Sequence, residues 1–139
     1  MAIFEEEGVD MHMVCIGHSN DTDDLEYLLR IINKGCFLGM DHFPGGARGG
    51  LNWEERTKLV KQLVDLGHAS HVTMSHDFGG WRPALPEVIG RRGANNPDGY
   101  CFVSRNVIPR LRELGVSEKD IHLMTVDAPR RFFAGPDLV

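Results

Sequence analysis

His71 to Asp77, HVTMSHD, is the stretch that decides the fold. It is a short apolar run that ends in an ionisable pair and breaks at Gly79-Gly80. It reads as a buried strand that delivers Asp77 to the mouth of a site. Parallel strands in α/β folds are short, rich in β-branched residues and covered on both faces, and ligands gather at their carboxyl ends. Working outward, Met13 to His18 (MVCIGH) and Cys36 to His42 (CFLGMDH) repeat the design: an apolar run of normal strand length, then His or Asp.

The segments between these runs read as helices. Asp21-Thr22-Asp23-Asp24 supplies an N-cap, assigned to Asp21, and an acidic first turn; Leu25, Leu28, Leu29 and Ile32 follow at helical spacing up to Gly35. Asn52 with Glu55 makes a capping-box start for a second helix running to about Leu66 and Gly67, with Leu59, Val60, Leu63 and Val64 turned inward. Ala2 to Glu7 with Gly8 looks like the end of a further helix. After Asp77 comes a long Gly-, Pro- and Arg-rich segment to Asp98, and loops of that length are usually functional or mobile. A helix resumes near Ser104 to Leu114, with Pro109 in its first turn or at a kink; Ser117 with Asp120, and Asp127 with Pro129, start two short terminal helices. The order β-α-β-α-β-loop-α predicts an α/β fold, either an open three-stranded layer or part of a (β/α) barrel, in one domain over residues 1–139.

Composition narrows the function classes. With 42% hydrophobic and 25% charged residues the chain has an ordinary globular make-up, and a net charge of −5 argues against nucleic acid as a partner. No apolar run reaches a membrane span, and Met1 to Asp10 is acidic, unlike a signal peptide. Cys15, Cys36 and Cys101 are odd in number and show no CxxC spacing, which is the pattern of a reduced, cytoplasmic chain.

The strand ends offer His18, Asp41, His42, His76 and Asp77. Imidazole and carboxylate suit zinc and related divalent metals, and the same groups do acid–base work near neutral pH. No HExxH-type spacing chooses between a metal site, an acid–base site and plainer roles. Asp77 can cap its loop through bonds to Gly79 or Gly80, and His18 can be a strand-end histidine with no ligand. Strand alternation points His76 away from Asp77. Arg91-Arg92 and Arg130-Arg131 read as solvated surface, and Pro44 to Gly50 (PGGARGG) lacks the GK[ST] of a phosphate loop.

Several motifs in order carry a resemblance: Val14-Cys-Ile-Gly-His-Ser-Asn-Asp-Thr-Asp-Asp24, Gly39-Met-Asp-His-Phe-Pro44, Ser75-His-Asp77, Asn96-Pro-Asp-Gly99 and Val107-Ile-Pro-Arg-Leu-Arg-Glu-Leu-Gly-Val116. From about Ile3 to Phe133 the chain resembles the phosphotriesterase family of the amidohydrolase superfamily, specifically its C-terminal part with barrel strands six, seven and eight. The resemblance implies a partial (β/α) TIM-type barrel and a metal-dependent hydrolase of small-molecule esters, phosphotriesters or lactones, with a divalent metal, zinc, present as two ions in the complete family site. By position, His18 would ligate one metal from strand six, while Asp77 would ligate the other from strand eight and accept the proton of the attacking hydroxide. His42 and Asp21 fall where the family carries that proton to solvent, and Phe78 and Trp81 would line the leaving-group pocket. Histidine at 42 points to the phosphotriesterase end of the family, since lactonase members tend to carry arginine there.

The departures set a second expectation. The family's paired histidines of strand one, carboxylated lysine of strand four and histidine of strand five have no counterpart in these 139 residues, and a full barrel takes about 250. Zinc normally takes at least three protein ligands. The chain is therefore expected to be part of a longer barrel, completed by the missing N-terminal half, or one completed by self-association as a homo-oligomer. The alternative reading is a non-catalytic barrel fragment that folds only by such association.

Overall fold

The computed structural model describes residues 2–45, 50–77 and 96–135. Its centre is a three-stranded sheet in the order β1 (Cys15–Ile16), β2 (Phe37–Met40), β3 (Val72–Met74), every pair parallel. Cys15 lies opposite Phe37, and Leu38 opposite Val72. Backbone bonds continue the pairing beyond these bounds, from Phe37 N–H to Val14 C=O at 2.9 Å and from Ser75 N–H to Met40 C=O at 3.1 Å. All four residues of β2 are buried, whereas β1 and β3 are partly covered. This is the pattern of a central parallel strand enclosed on both faces. The architecture is that of a partial TIM-type barrel with flanking helices.

The helices form where the local chemistry calls for them. After α1 (Ala2–Glu6), Gly8 turns the chain at φ 69°. In α2 (Leu25–Ile32), Leu28, Ile31 and Ile32 share the buried stripe, and Gly35 leaves the helix at φ 90°. The cap of α2 is Asp24, whose carboxylate accepts the Tyr27 N–H at 2.9 Å. Asp21, expected to be that cap, sits instead in a 3₁₀ turn over Ser19–Asp21 with its side chain committed elsewhere. In α3 (Trp53–Asp65) the capping box is complete: Asn52 Oδ1 accepts from Glu55 N at 3.0 Å, and Glu55 accepts the Asn52 N–H at 2.8 Å. Leu59, Val60 and Leu63 of α3 join Leu28, Leu38 and Met40 in one core.

The C-terminal third corrects two boundaries. Helical winding begins with a 3₁₀ turn at Gly99–Cys101, ahead of the expected start near Ser104, because Asp98 holds Arg105 at 2.9 Å and Asn106 at 2.8 Å and ties that turn down. A π turn over Val103–Val107, closed by Ile108 N–H to Val103 C=O, then runs into α4 (Ile108–Glu113). Past Ser117, which caps α5 (Glu118–His122), a second π turn at Leu123–Asp127 leads into α6 (Ala128–Ala134). The two terminal helices expected from Ser117 and Asp127 are thus one wound run, and Asp127 is itself helical, at φ −73° and ψ −41°, with no capping bond. Each π turn immediately precedes a proline segment, Pro109 or Pro129. Proline has no N–H to donate and its ring crowds the carbonyl four residues back, so widening the turn relieves the clash without ending the helix.

Leu38 is fully buried at the centre of this sheet. Leu38→Ala should cost roughly 2–5 kcal/mol of stability. Asn52→Ala, which removes only the cap of α3, should cost about 1 kcal/mol. Urea titration of the two variants gives both values and their order.

Candidate active site

Three strand ends bring the ionisable residues to one place. After β1 the chain passes Gly17 and enters His18 at φ 58° and ψ 23°; after β3 it reaches Asp77 at φ 40°. Among the described residues these are the only non-glycine positions with positive φ. Left-handed backbone disfavours residues with a Cβ, and such strain gathers at functional sites where neighbours over-determine it. For His18 the neighbour is Asp41, whose Oδ1 accepts both the His18 backbone N–H at 2.7 Å and its ring Nδ1–H at 2.9 Å. Glycine makes room for that carboxylate: a Cβ on Gly17 would lie 3.1 Å from Asp41 Oδ2, and one on Gly39 would lie 3.1 Å from the Gly17 Cα.

His42 lies face to face with His18, ring centroids 3.8 Å apart and planes 16° from parallel. Its Nδ1 meets both carboxylate oxygens of Asp21, at 2.9 and 2.8 Å, and its Nε2 meets Asp77 Oδ2 at 3.1 Å. Its backbone N–H donates to Oδ1 of the fully buried Asn20 at 3.1 Å. Behind Asp21 stands Arg56, buried, donating to Asp21 Oδ1 at 2.7 Å. A continuous chain of contacts therefore runs Asp77, His42, Asp21, Arg56.

Electrostatics follow from these contacts. The hydrogen bond to Asp41 is the main cause that raises the His18 pKa above its ordinary value; slight burial opposes it, and the charges of Asp41, Asp77 and Asp21 add to it. For Asp21, burial pushes the carboxyl up, but hydrogen bonds from His42 and Arg56 outweigh it and hold the group below the usual carboxylate value.

Donor atoms of His18, His42 and Asp77 all lie within 4.8 Å of one another. Two imidazoles and a carboxylate are a donor set that fits zinc. With Nδ1 of His18 turned to Asp41, its Nε2 is left to face outward, the carboxylate–histidine arrangement that orients metal ligands. Both nitrogens of His42 already face carboxylates, so His18 and Asp77 are the freer donors.

The structure brings together His18, Asp21, His42 and Asp77, and it turns His76 away: His76 Nε2 accepts the Val103 N–H at 3.0 Å. Phe78 and Trp81, expected to line a pocket, lie outside the described residues, as do the loop glycines that Asp77 was weighed against. Two residues of the site, Asn20 and Arg56, are not singled out by the sequence, and Asp41 is singled out there only as one of the strand-end groups. Arg56 had a signal, since it sits three and four positions before Leu59 and Val60 on the apolar stripe of α3, where a charge is out of place. Asp41 had its place at a strand end as a signal but not its pairing with His18, and Asn20 had none, because their partners lie on other segments.

Asp41→Asn should lower the His18 pKa toward the free-imidazole value of about 6.5, read from the pH dependence of its ring resonances. Because the folded pKa is raised, the charge-dependent stabilisation from this pair is fully present below about pH 6.5 and fades as pH rises through the folded value. The stability gap between wild type and Asp41→Asn should therefore be wider at acidic than at alkaline pH.

Comparison with known proteins matches residues 1–133 to the phosphotriesterase family. A phosphotriesterase homology protein of Mycobacterium tuberculosis is 39% identical over 94% of this chain and 39% of its own length. An aryldialkylphosphatase of Saccharolobus solfataricus is 30% identical over 95% of this chain and 42% of its own. The solved phosphotriesterase from Mycobacterium tuberculosis superposes with a TM-score of 0.84 at 39% identity, covering 95% of this chain and 40% of that one. The chain thus spans about two-fifths of the length of these relatives. With three strand ends converging as described and a family match over nearly its whole length, the chain belongs to the phosphotriesterase family.

Proposed function

We propose that this chain contributes the strand-six to strand-eight side of a hydrolytic centre that cleaves phosphotriester or lactone esters. The observation that carries the reading is the convergence of His18, His42 and Asp77 at the carboxyl ends of parallel strands, with Asp21 directly behind His42. His18, through Nε2, and Asp77 are the residues that would hold a divalent metal, zinc by the chemistry of the donors. The chemistry that such a metal would supply, when bound, is a water acidified to a pKa of about 7 and Lewis-acid polarisation of an ester oxygen.

The rest of the work falls to this chain's own groups. Asp77 Oδ2 receives the proton released on attack and lies 3.1 Å from His42 Nε2, close enough to pass it on. On the far side of the ring, Nδ1–H faces Asp21, whose side chain is 46% exposed, so a proton arriving there is within reach of solvent. Stacking on His18 keeps the His42 ring in the plane that serves both carboxylates. Histidine rather than arginine at 42, together with similarity to an aryldialkylphosphatase, supports phosphotriesters as the first substrate class to test. Phe78 and Trp81 remain our candidates for the leaving-group pocket.

Among the described residues β1 and β3 each pair on one side only. An exposed strand edge is a template for further pairing. The reading therefore includes further barrel strands, in the same polypeptide or in a second copy, to bring the remaining ligands. Expressed alone, the 139-residue chain should associate and show a mass above 15.6 kDa in light scattering, with no zinc-dependent turnover of a phosphotriester. A monodisperse active monomer would overturn this part of the reading.

In a polypeptide that joins this chain to the remaining barrel strands, His18→Asn should lower the zinc bound per molecule. His42→Asn should leave zinc unchanged and slow turnover by roughly 10²–10⁴-fold, the range for loss of a positioned proton acceptor. Metal analysis beside kinetics separates the two; equal zinc loss in both variants would make His42 a ligand.

A further inference from the structure

One buried charge has no place in the scheme above. Arg56 lies on the core-facing side of α3 with 4% of its surface exposed. A buried guanidinium is costly unless its donors are taken up. Here Nε donates to the Leu51 carbonyl at 2.7 Å, while Nη1 donates to the Asn20 carbonyl and to Asp21 Oδ1, the latter at 2.7 Å. The slot that holds it is specific. A Cβ on Gly45 would sit 2.0 Å from Arg56 Nε and 2.8 Å from its Cδ, so the loop after His42 closes over the guanidinium only because glycine stands there. Gly45 also has φ +72°, a conformation that glycine adopts most readily.

Asp21 does no capping, since Asp24 caps α2. Its carboxylate lies between Arg56, which reaches it from the interior, and the His42 ring, which meets it on the solvent side. Left to itself, a half-exposed aspartate rotates freely, and the His42 Nδ1–H would exchange Asp21 for water. The Leu51 bond is local to the start of α3, and the Asn20 carbonyl bond would by itself be enough to staple α3 to the turn after β1. The third bond instead selects the one carboxylate that holds an imidazole.

We propose that Arg56 is a positioning residue: it fixes the Asp21 carboxylate and, through it, the orientation and hydrogen bonding of the His42 ring. Lysine does not reproduce it, because Nε anchors the guanidinium plane on the Leu51 carbonyl while Nη1 meets Asn20 and Asp21, and an ammonium has no second nitrogen to supply that anchor. The consequence for turnover rests on the relay reading of Asp21, His42 and Asp77, but the positioning itself is a property of the resting chain.

The test is made on the full chain without metal or substrate, by nuclear magnetic resonance of the His42 Nδ1–H, assigned by its loss in His42→Asn. In the wild type its bond to Asp21 slows exchange with water. Arg56→Lys and Asp21→Ala should each speed that exchange about tenfold, the equivalent of losing one hydrogen bond. The double variant should go no further than Asp21→Ala alone, because both act along one path. Gly45→Ala, by crowding the guanidinium out, should reproduce Arg56→Lys. A folded Arg56→Lys chain, judged by circular dichroism, with unchanged His42 exchange would overturn the proposal, as would additive effects in the double variant; a purely structural role moves stability and leaves this signal alone. If Arg56→Lys does not fold, Asp21→Ala decides from the other side: the Arg56 Nη protons, held in the wild type, must exchange faster, and unchanged signals overturn the proposal. Absence of hydrolysis would count against the enzymatic reading and leave these outcomes untouched.

Discussion

The burial of β2 on both faces is the constraint from which the rest of this structure follows. Phe37, Leu38, Gly39 and Met40 are all enclosed, so no polar side chain is accommodated until the strand ends. The next two residues are Asp41 and His42, and they appear where the sheet stops shielding the chain from water. Because β1 and β3 run parallel to β2 and pair with it, the ionisable residues that follow them, His18 and Asp77, arrive at the same edge. Collecting ionisable groups at one end is thus a result of strand direction together with the cost of burying charge.

Proximity alone would leave like-charged carboxylates and floppy imidazoles. Here each imidazole is held by acids: His18 is drawn to Asp41, and His42 bridges Asp21 and Asp77. The backbone cost of left-handed geometry at His18 is offset by the bond from its own N–H to Asp41, and the ring's Nδ1 bond to the same oxygen sets its direction. The glycines at 17 and 39 let two strands approach closely enough for that carboxylate to fit. The groups are thereby held in fixed directions rather than left to sample rotamers.

The C-terminal helices illustrate how local rules yield to packing. Pro109 and Pro129 would each end a helix if the i to i−4 pattern were obligatory. Val107, Leu111, Met124 and Ala128 are nevertheless all buried, and keeping them on the core requires continuous winding. The π turns at Val103–Val107 and Leu123–Asp127 reconcile the two demands.

Strand positions, their parallel order and the helix starts at Asn52 and Ser117 were legible in the sequence because they depend on near neighbours: apolar runs ending in His or Asp, and capping residues a few positions from the N–H groups they hold. Periodicity also placed His18, His42 and Asp77 at strand ends. The helix start at Asp21 was misassigned because four consecutive candidates from Asp21 to Asp24 can each cap, and only the path of the chain out of β1 selects Asp24. The pairing of Asp41 with His18 spans 23 residues, that of Asn20 with His42 spans 22, and that of Asp21 with Arg56 spans 35. No local pattern encodes such pairs; they exist only when parallel strands and α3 are packed together. The sequence by itself determined which chemical groups end the strands, through the energetics of burying apolar runs, while tertiary structure alone decided which group faces which, because hydrogen bonds between distant segments form only after the core has set their separation.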